Sequence, residues 1–269
     1  MLDNFLKKII VFIYYKLKIV GWHGDYENYE NAKKKCTGYD DDVILEKVKT
    51  SVLKVKNGGA VYERDSVLFD KIEYSNEVLD IFNVIIKEND GELAILDFGG
   101  SLGSSYFQYK NSLSNLKKLS WKVVEQSHFV ECGDKYIKDE NLSFYYNISE
   151  ALAEKKSNVL FLSSVIQYLE KPYDFINQIL NYNFEYIIFD RTAFIANEKD
   201  RITIQYVPKN IYKASYPAWF FNEQKFIKSF LTNYDILQQF DSNIDISLWL
   251  DKNNKAYWKG FIFSKKIKF

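Results

Sequence analysis

"ILDFGGSLGSSYF", residues 95–107, is the stretch from which the fold is read. A short apolar run ends in Asp97, and Gly99, Gly100 and Gly103 follow within six residues. Such a run, closed by glycines, reads as a buried strand. Glycines let the chain turn sharply and approach a ligand closely. A helix predicted over 104–117 then points its N-terminus at the turn. A P-loop is excluded because no Gly-Lys-Ser/Thr follows, and the G-x-G-x-x-G spacing of dinucleotide folds is missed as well.

Working outward, short β-rich runs alternate with helical segments. Strands are predicted at 93–98, 121–126, 142–148, 158–164 and 186–192, and helices at 104–117, 127–139, 149–156 and 172–182. This alternation predicts a mostly parallel sheet covered on both faces. A helix at 222–232 is followed by strands at 235–242 and 257–266 with no helix between them. Those two strands predict a C-terminal antiparallel hairpin at the edge of a seven-stranded α/β sheet. Residues 1–90 read as a helical N-terminal extension, with helices at 2–18, 28–36, 41–55 and 74–89, while 91–269 form the Rossmann-like domain with a lid at about 195–220.

The first helix has an apolar core, Ile9 to Tyr15, that is too short to span a bilayer and is flanked by Lys7, Lys8, Lys16 and Lys18. It lacks a signal-peptide cleavage pattern. Residues 1–20 are therefore expected to pack on the domain, to make a homodimer, or to lie on the inner membrane surface. Lys plus Arg equals Asp plus Glu, 36 of each, so nothing points to nucleic acid. Cys36 and Cys132 make neither a disulfide framework nor a C-x-x-C site, which fits a reducing cytoplasm. His23 and His128 offer no metal-ligand spacing.

Asp97 is predicted at the carboxyl end of the first strand of the sheet, where open α/β folds bind ligands. The loop Gly99, Gly100, Ser101, Leu102, Gly103 resembles the methyltransferase pattern D-x-G-x-G-x-G, with Ser101 at the middle glycine. In that pattern the acid meets the amino-acid end of S-adenosylmethionine (SAM). Glu125, with Gln126 beside it, ends the next strand 22 residues after Gly103. A carboxylate there can accept both ribose hydroxyls. Asn147 is placed for the adenine edge, and Ser163, Ser164 and Gln167 for the methyl group and the acceptor.

Longer blocks carry a closer resemblance. "GYDDDVILEKV", "GGAVYERDSVLF", "LDFGGSLGSSYFQY", "VVEQ", "SSVIQYL", "FDRTAF", "ITIQYVP" and "YPAWFF" resemble a family of SAM-dependent methyltransferases associated with bacterial surface-polysaccharide (capsule and O-antigen) clusters. The resemblance implies a class I methyltransferase fold, SAM as cofactor, S-adenosylhomocysteine (SAH) as product and a cytoplasmic enzyme. It does not name the acceptor. O-methylation of a glycan precursor or of its phosphoryl or sugar substituent is the leading expectation. N-methylation of an amino sugar, or a degenerate binding subunit of a glycan-assembly complex, are the alternatives.

On the acceptor side, Asp190 ends the fifth strand and could act as base, while Arg191 could clamp a phosphate or carboxylate. His128 is a second base candidate, near adenine. Tyr62 and Arg64 precede the first core strand, and Arg201, Tyr206, Tyr212 and Tyr216 follow the fifth. Mixed aromatic and polar side chains of this kind suit a sugar ring, and Arg64, Arg191 and Arg201 would suit a phosphorylated acceptor.

Overall fold

The structure is a computed structural model that describes residues 20–37, 41–114, 116–209, 211, 213–242 and 248–267. The expected helix at 2–18, with its membrane or dimer contact, and Tyr212 lie outside these residues. Before the core come β1 (Gly21–Tyr26), α1 (Tyr29–Lys33), α2 (Asp41–Lys56), a hairpin of β2 (Tyr62–Arg64) and β3 (Val67–Phe69), and α3 (Asn76–Glu88). Three of the predicted helices are present in this extension, but a strand and a hairpin join them. Gly21 and Gly24, between the first two predicted helices, lie within β1. The hairpin turns at Asp65 and Ser66, both with positive φ (51° and 66°), which is the two-residue turn that suits a right-twisted ribbon.

The alternating core follows. It comprises β4 (Glu92–Phe98), α4 (Ser104–Tyr109), β5 (Lys118–Val124), α5 (Ser127–Cys132), β6 (Leu142–Tyr145), α6 (Ile148–Glu154), β7 (Val159–Ser163), α7 (Pro172–Leu180) and β8 (Tyr186–Ile195). Then come β9 (Arg201–Tyr206), β10 (Ser215–Asn222), α8 (Glu223–Lys228), β11 (Tyr234–Asp241), β12 (Leu248–Trp249) and β13 (Lys255–Lys265). Strands β6, β5, β4, β7 and β8 run parallel in that spatial order, β13 lies antiparallel beside β8, and β11 lies outside β13. β11 and β13 therefore pair as the expected antiparallel strands, with β13 inserted inward, and the sheet has eleven strands among the described residues where seven were expected, because β1, β9, β10 and β12 join it. This is a Rossmann-like class I methyltransferase fold. Among the described residues no helix is long and apolar enough to cross a membrane.

Successive residues of a strand point to opposite faces, and each face of this sheet has its own core. Ile95, Val159, Phe161 and Ile188 pack with α2, α3 and α4 through Val48, Phe82 and Tyr106. Leu96, Leu160, Leu162, Ile187 and Phe189 pack with α6, α7 and α8 through Ala151, Ile176 and Phe226.

β8 positions the site. Its first half pairs with β7 over Tyr186–Asp190, and its far end pairs in parallel with β10 through Phe194 and Ile195. The predicted lid is thus an antiparallel ribbon of β10, β9 and β1 that continues the sheet past the end of β7. Between the two halves, Thr192 faces Lys259 and Phe189 faces Phe261, so Asp190 and Arg191 oppose the single residue Gly260. This is a β-bulge, which re-aims side chains, and Arg191 takes φ 51° within it. A Cβ on Gly260 would stand 2.0 Å from Cζ of Phe240.

Gly260→Ala is therefore expected to destabilise the fold by about 1–3 kcal/mol through overpacking, and Phe240→Leu in the same chain should return most of the loss. Thermal melting of the three variants checks this. An alanine variant that melts with the parent protein would contradict the register opposite the bulge.

Candidate active site

A cavity of about 370 Å³ opens at the carboxyl ends of β4, β5 and β7. It falls within the size range of small-molecule sites. One wall is Asp97, Gly99, Gly100, Ser101, Glu125 and Gln126, and a second is Ser163, Ser164, Val165 and Arg191. Tyr62, Arg64 and Asp65 close it from the β2–β3 hairpin, and Tyr29, Tyr168 and Tyr216 close it from the opposite segments.

Asp97 is 1% exposed, and its Oδ2 accepts a hydrogen bond from Nε1 of Trp121 at 3.0 Å. Burial pushes its carboxyl up to about 7; the Trp121 bond opposes this, the charge on Glu125 adds to it and Arg191 opposes it. The turn is built around that acid, because a Cβ on Gly100 would lie 2.6 Å from the Asp97 carboxyl. Likewise a Cβ on Gly99 would lie 2.3 Å from Cγ2 of Val165. Ser101 adopts φ 55°, so it fills the middle-glycine position in the conformation a glycine would take.

Glu125 is locked across the mouth of the turn. Its Oε1 accepts the Ser101 N–H at 3.3 Å and its Oε2 the Gln126 N–H at 2.7 Å. Burial raises its pKa, and the two backbone donors work against the rise.

On the acceptor side, Ser163 Oγ donates to Oδ2 of Asp190 at 3.0 Å and accepts from Nη2 of Arg191 at 2.9 Å. Ser242 Oγ in turn accepts the Arg191 backbone N–H at 3.0 Å, which holds the bulge in place. Four of the seven described non-glycine residues with positive φ (Asp65, Ser101, Ser164 and Arg191) line the cavity. Such conformations cost on the order of 1–3 kcal/mol each and cluster where geometry serves a function.

Several expected site residues stand elsewhere. Leu102 is buried in the core, and Gly103 (φ 86°) caps α4. Asn147 caps α6, its Oδ1 accepting the Glu150 N–H at 2.9 Å, so it is spent on the helix and not on the cavity. His128 lies beside Phe129 with its Nε2 buried and without a hydrogen-bond partner among the described residues. Gln167 is buried outside the lining, where its Nε2 donates to Ser164 Oγ and to the Arg191 carbonyl, at 3.1 and 3.2 Å. Asp190 lies outside the main lining and borders a small neighbouring cavity. Arg201 is bound to the Gly24 carbonyl and to Asp251, where it ties β9 to β1 and to the loop after β12. Tyr206 packs near His23, with ring centroids 6.0 Å apart.

The structure singles out three residues that were not among the expected site residues, two of them (Tyr29 and Tyr168) in the cavity lining and the third, Glu63, bonded to the lining residue Ser104. Tyr29 comes from the extension and donates to the Tyr168 carbonyl at 2.9 Å. Tyr168 donates to Oε1 of Gln205 at 2.8 Å and meets Tyr216 edge-on at 5.2 Å. Glu63, on β2, is 1% exposed and accepts from the hydroxyl of Ser104 and from the Ser66 N–H at 3.2 Å. Burial pushes it up to about 7, against the Ser104 bond.

The sequence matches no family model and no curated relative. Among solved structures, the N-terminal domain of EvdMO1, in the presence of SAH and D-fucose, is similar with a TM-score of 0.48 at 8% identity, over 83% of this chain and 97% of that one. A SAM-dependent methyltransferase from Clostridium acetobutylicum gives 0.44 at 11% identity, over 71% and 92%. Magnesium protoporphyrin IX methyltransferase from Synechocystis, with bound SAM, gives 0.43 at 11%, over 86% and 99%. At these values the fold rests on the strand order above, and activity must be argued from the site.

The raised carboxyls of Asp97 and Glu63 set a pH dependence. Unfolded, both groups titrate near 4; folded, both titrate near 7. Between those limits the folded chain holds protons that the unfolded chain has released. Stability should therefore fall as pH rises from about 4 to 7 and level off above. Denaturant unfolding at several pH values should give that slope, with Asp97→Asn and Glu63→Gln each making it shallower. An unchanged slope in both variants would refute the assignment.

Proposed function

We propose that the protein is a SAM-dependent methyltransferase, acting by O-methyl transfer on a small surface-glycan precursor or its phosphoryl or sugar substituent in the cytoplasm. One observation carries this reading: Asp97 and Glu125 face the same cavity across one glycine turn. A carboxylate in the position of Glu125 suits the two hydroxyls of a ribose. A buried acid beneath Gly100 repels a pyrophosphate and attracts a cation. The pair therefore suits a nucleoside that carries positive charge, and SAM has both a sulfonium and an ammonium group. The close fit of Gly99 against Val165 and of Gly100 against Asp97 leaves no room for a side chain at either position of the turn.

When bound, SAM supplies an electrophilic methyl group. The chain's own residues supply alignment and proton handling. Ser163 is a lining hydroxyl that donates to Asp190 and accepts from Arg191. Asp190 takes the acceptor's proton through Ser163, a role that typically contributes ~10²–10⁴-fold. The aromatic wall of Tyr29, Tyr168 and Tyr216 supports a ring-shaped acceptor. The surface-polysaccharide setting rests on the resemblance of the sequence blocks.

Calorimetric titration with SAM, SAH and NAD tests the reading. SAM and SAH are expected to bind and NAD not to. Glu125→Gln should weaken SAH by at least ~10-fold through two lost charged hydrogen bonds, and Asp190→Ala should spare SAH. A folded protein that binds NAD and not SAH would overturn it.

A further inference from the structure

We propose that Arg64 and Arg191 form a subsite for an anionic group, a carboxylate or phosphate, on the methyl acceptor. The proposal rests on the cofactor reading above and narrows the acceptor to an anionic ring compound.

The two arginines come from unrelated segments and converge. They are the two residues that line both the main cavity and the smaller one beside it. Each is held in place before any ligand arrives. Arg64 Nε donates to the Tyr62 hydroxyl at 3.1 Å, and its guanidinium lies 5.6 and 6.0 Å from the ring centroids of Tyr62 and Phe69. Arg191 is fixed by the bulge and by Ser163.

Their donors are largely unspent. A guanidinium carries five N–H groups. The Arg191 side chain is 15% exposed, yet Nη2 to Ser163 is its one side-chain hydrogen bond among the described residues, and Nε makes only a 3.7 Å ion pair with Asp190, with no hydrogen-bond acceptor among the described residues. The contrast with Arg201 is direct. That guanidinium is equally enclosed, but it is met by the Gly24 carbonyl at 2.9 Å and by Asp251. Arg201 is what a structural arginine looks like in this fold. A nearly buried guanidinium with unmet donors is costly unless an acceptor completes it, and two such forks suit a carboxylate or phosphate.

Size fixes which side the anion takes. The small cavity, bordered by Glu73, Glu77, Asp190 and Asp241, holds about 30 Å³, room for a water or two, whereas the main cavity, which carries Asp65, Asp97 and Glu125, holds about 370 Å³. The small cavity takes no residue from the glycine turn or the end of β5, so the arginine pair borders the main cavity beyond the nucleoside's anchors. An anion held there leaves the rest of an acceptor ring to lie between Ser163 and the tyrosine wall.

The test uses SAH-saturated protein and two probes that share a ring, glucose 1-phosphate and glucose. Calorimetry should show glucose 1-phosphate binding at least ~10-fold more tightly than glucose, and Arg64→Gln and Arg191→Lys each removing most of that difference. Both variants should bind SAH as the parent does. Arg64→Gln lies on the hairpin and keeps the test open should the bulge variant fail to fold. Equal binding of the two probes, absence of binding by both included, overturns the proposal. So does a loss of SAH affinity with methylthioadenosine binding unchanged, because the arginines would then hold the cofactor's own carboxylate. Failure of the parent protein to bind SAH would sink the cofactor reading separately, and the same two titrations on the ligand-free protein would still decide the anion subsite.

Discussion

Strand β8 spans ten residues, twice the length of the neighbour it starts against. Much else follows from that overrun. Where β7 stops, β8 still needs a partner for its exposed backbone edge, since buried peptide groups must be paired. The end of β10 supplies it and brings β9 and β1 with it, so the sheet continues past the end of β7 and Tyr216 of β10 reaches the cavity. The bulge at Asp190 and Arg191 lies where the partner changes from β7 to β10. One discontinuity in hydrogen bonding therefore brings Tyr216 to the cavity and sets two of the charged side chains near it.

The electrostatics of the site balance burial against specific donors. Asp97 and Glu63 are each less than 2% exposed and each accepts a bond from a neutral donor, the Trp121 indole and the Ser104 hydroxyl. Neither has an arginine at contact distance, so desolvation outweighs the bonds and both carboxyls rise to about 7. An incoming cation would meet an acid that is only partly ionised and would complete its ionisation on arrival. Arg191 stands on the other side of this balance, because its nearest carboxylate is already engaged by Ser163.

The core was legible because its signals are local. Each buried parallel strand is a short apolar run bounded by turn residues, and the glycine turn announces itself through spacing alone. Asp97, Gly100 and Glu125 could be assigned to strand ends by register, and the structure brings them to one cavity. The N-terminal strand was not legible, since "GWHGDY" (residues 21–26) has no strand propensity of its own and pairs only because β9 offers an edge. Arg201 illustrates the opposite failure. A charged side chain in a predicted lid resembles a ligand contact until its partners, Gly24 and Asp251, are known, and these are 177 and 50 residues away in sequence. Asn147 sits at a strand end and also at a helix start, and the cap claimed it.

On the proposed reading, the tyrosine wall is where acceptor specificity would reside. Tyr29 comes from the extension, Tyr168 follows β7 and Tyr216 lies on β10, and hydrogen bonds join Tyr29 to Tyr168 and Tyr168 to Gln205 of β9. None of these residues belongs to the glycine turn or to the end of β5. Burial pushes the Tyr29 hydroxyl up to about 12, so it remains protonated and serves as a donor in the wall and not as a base. The end of the cavity that carries Asp97 and Glu125 is thus set by the parallel strands of the sheet, while the tyrosine end is assembled from segments before and after them. On the proposed reading those additions could change to admit a different acceptor while the carboxylates at the strand ends stayed in place, because the two ends come from different elements of the fold.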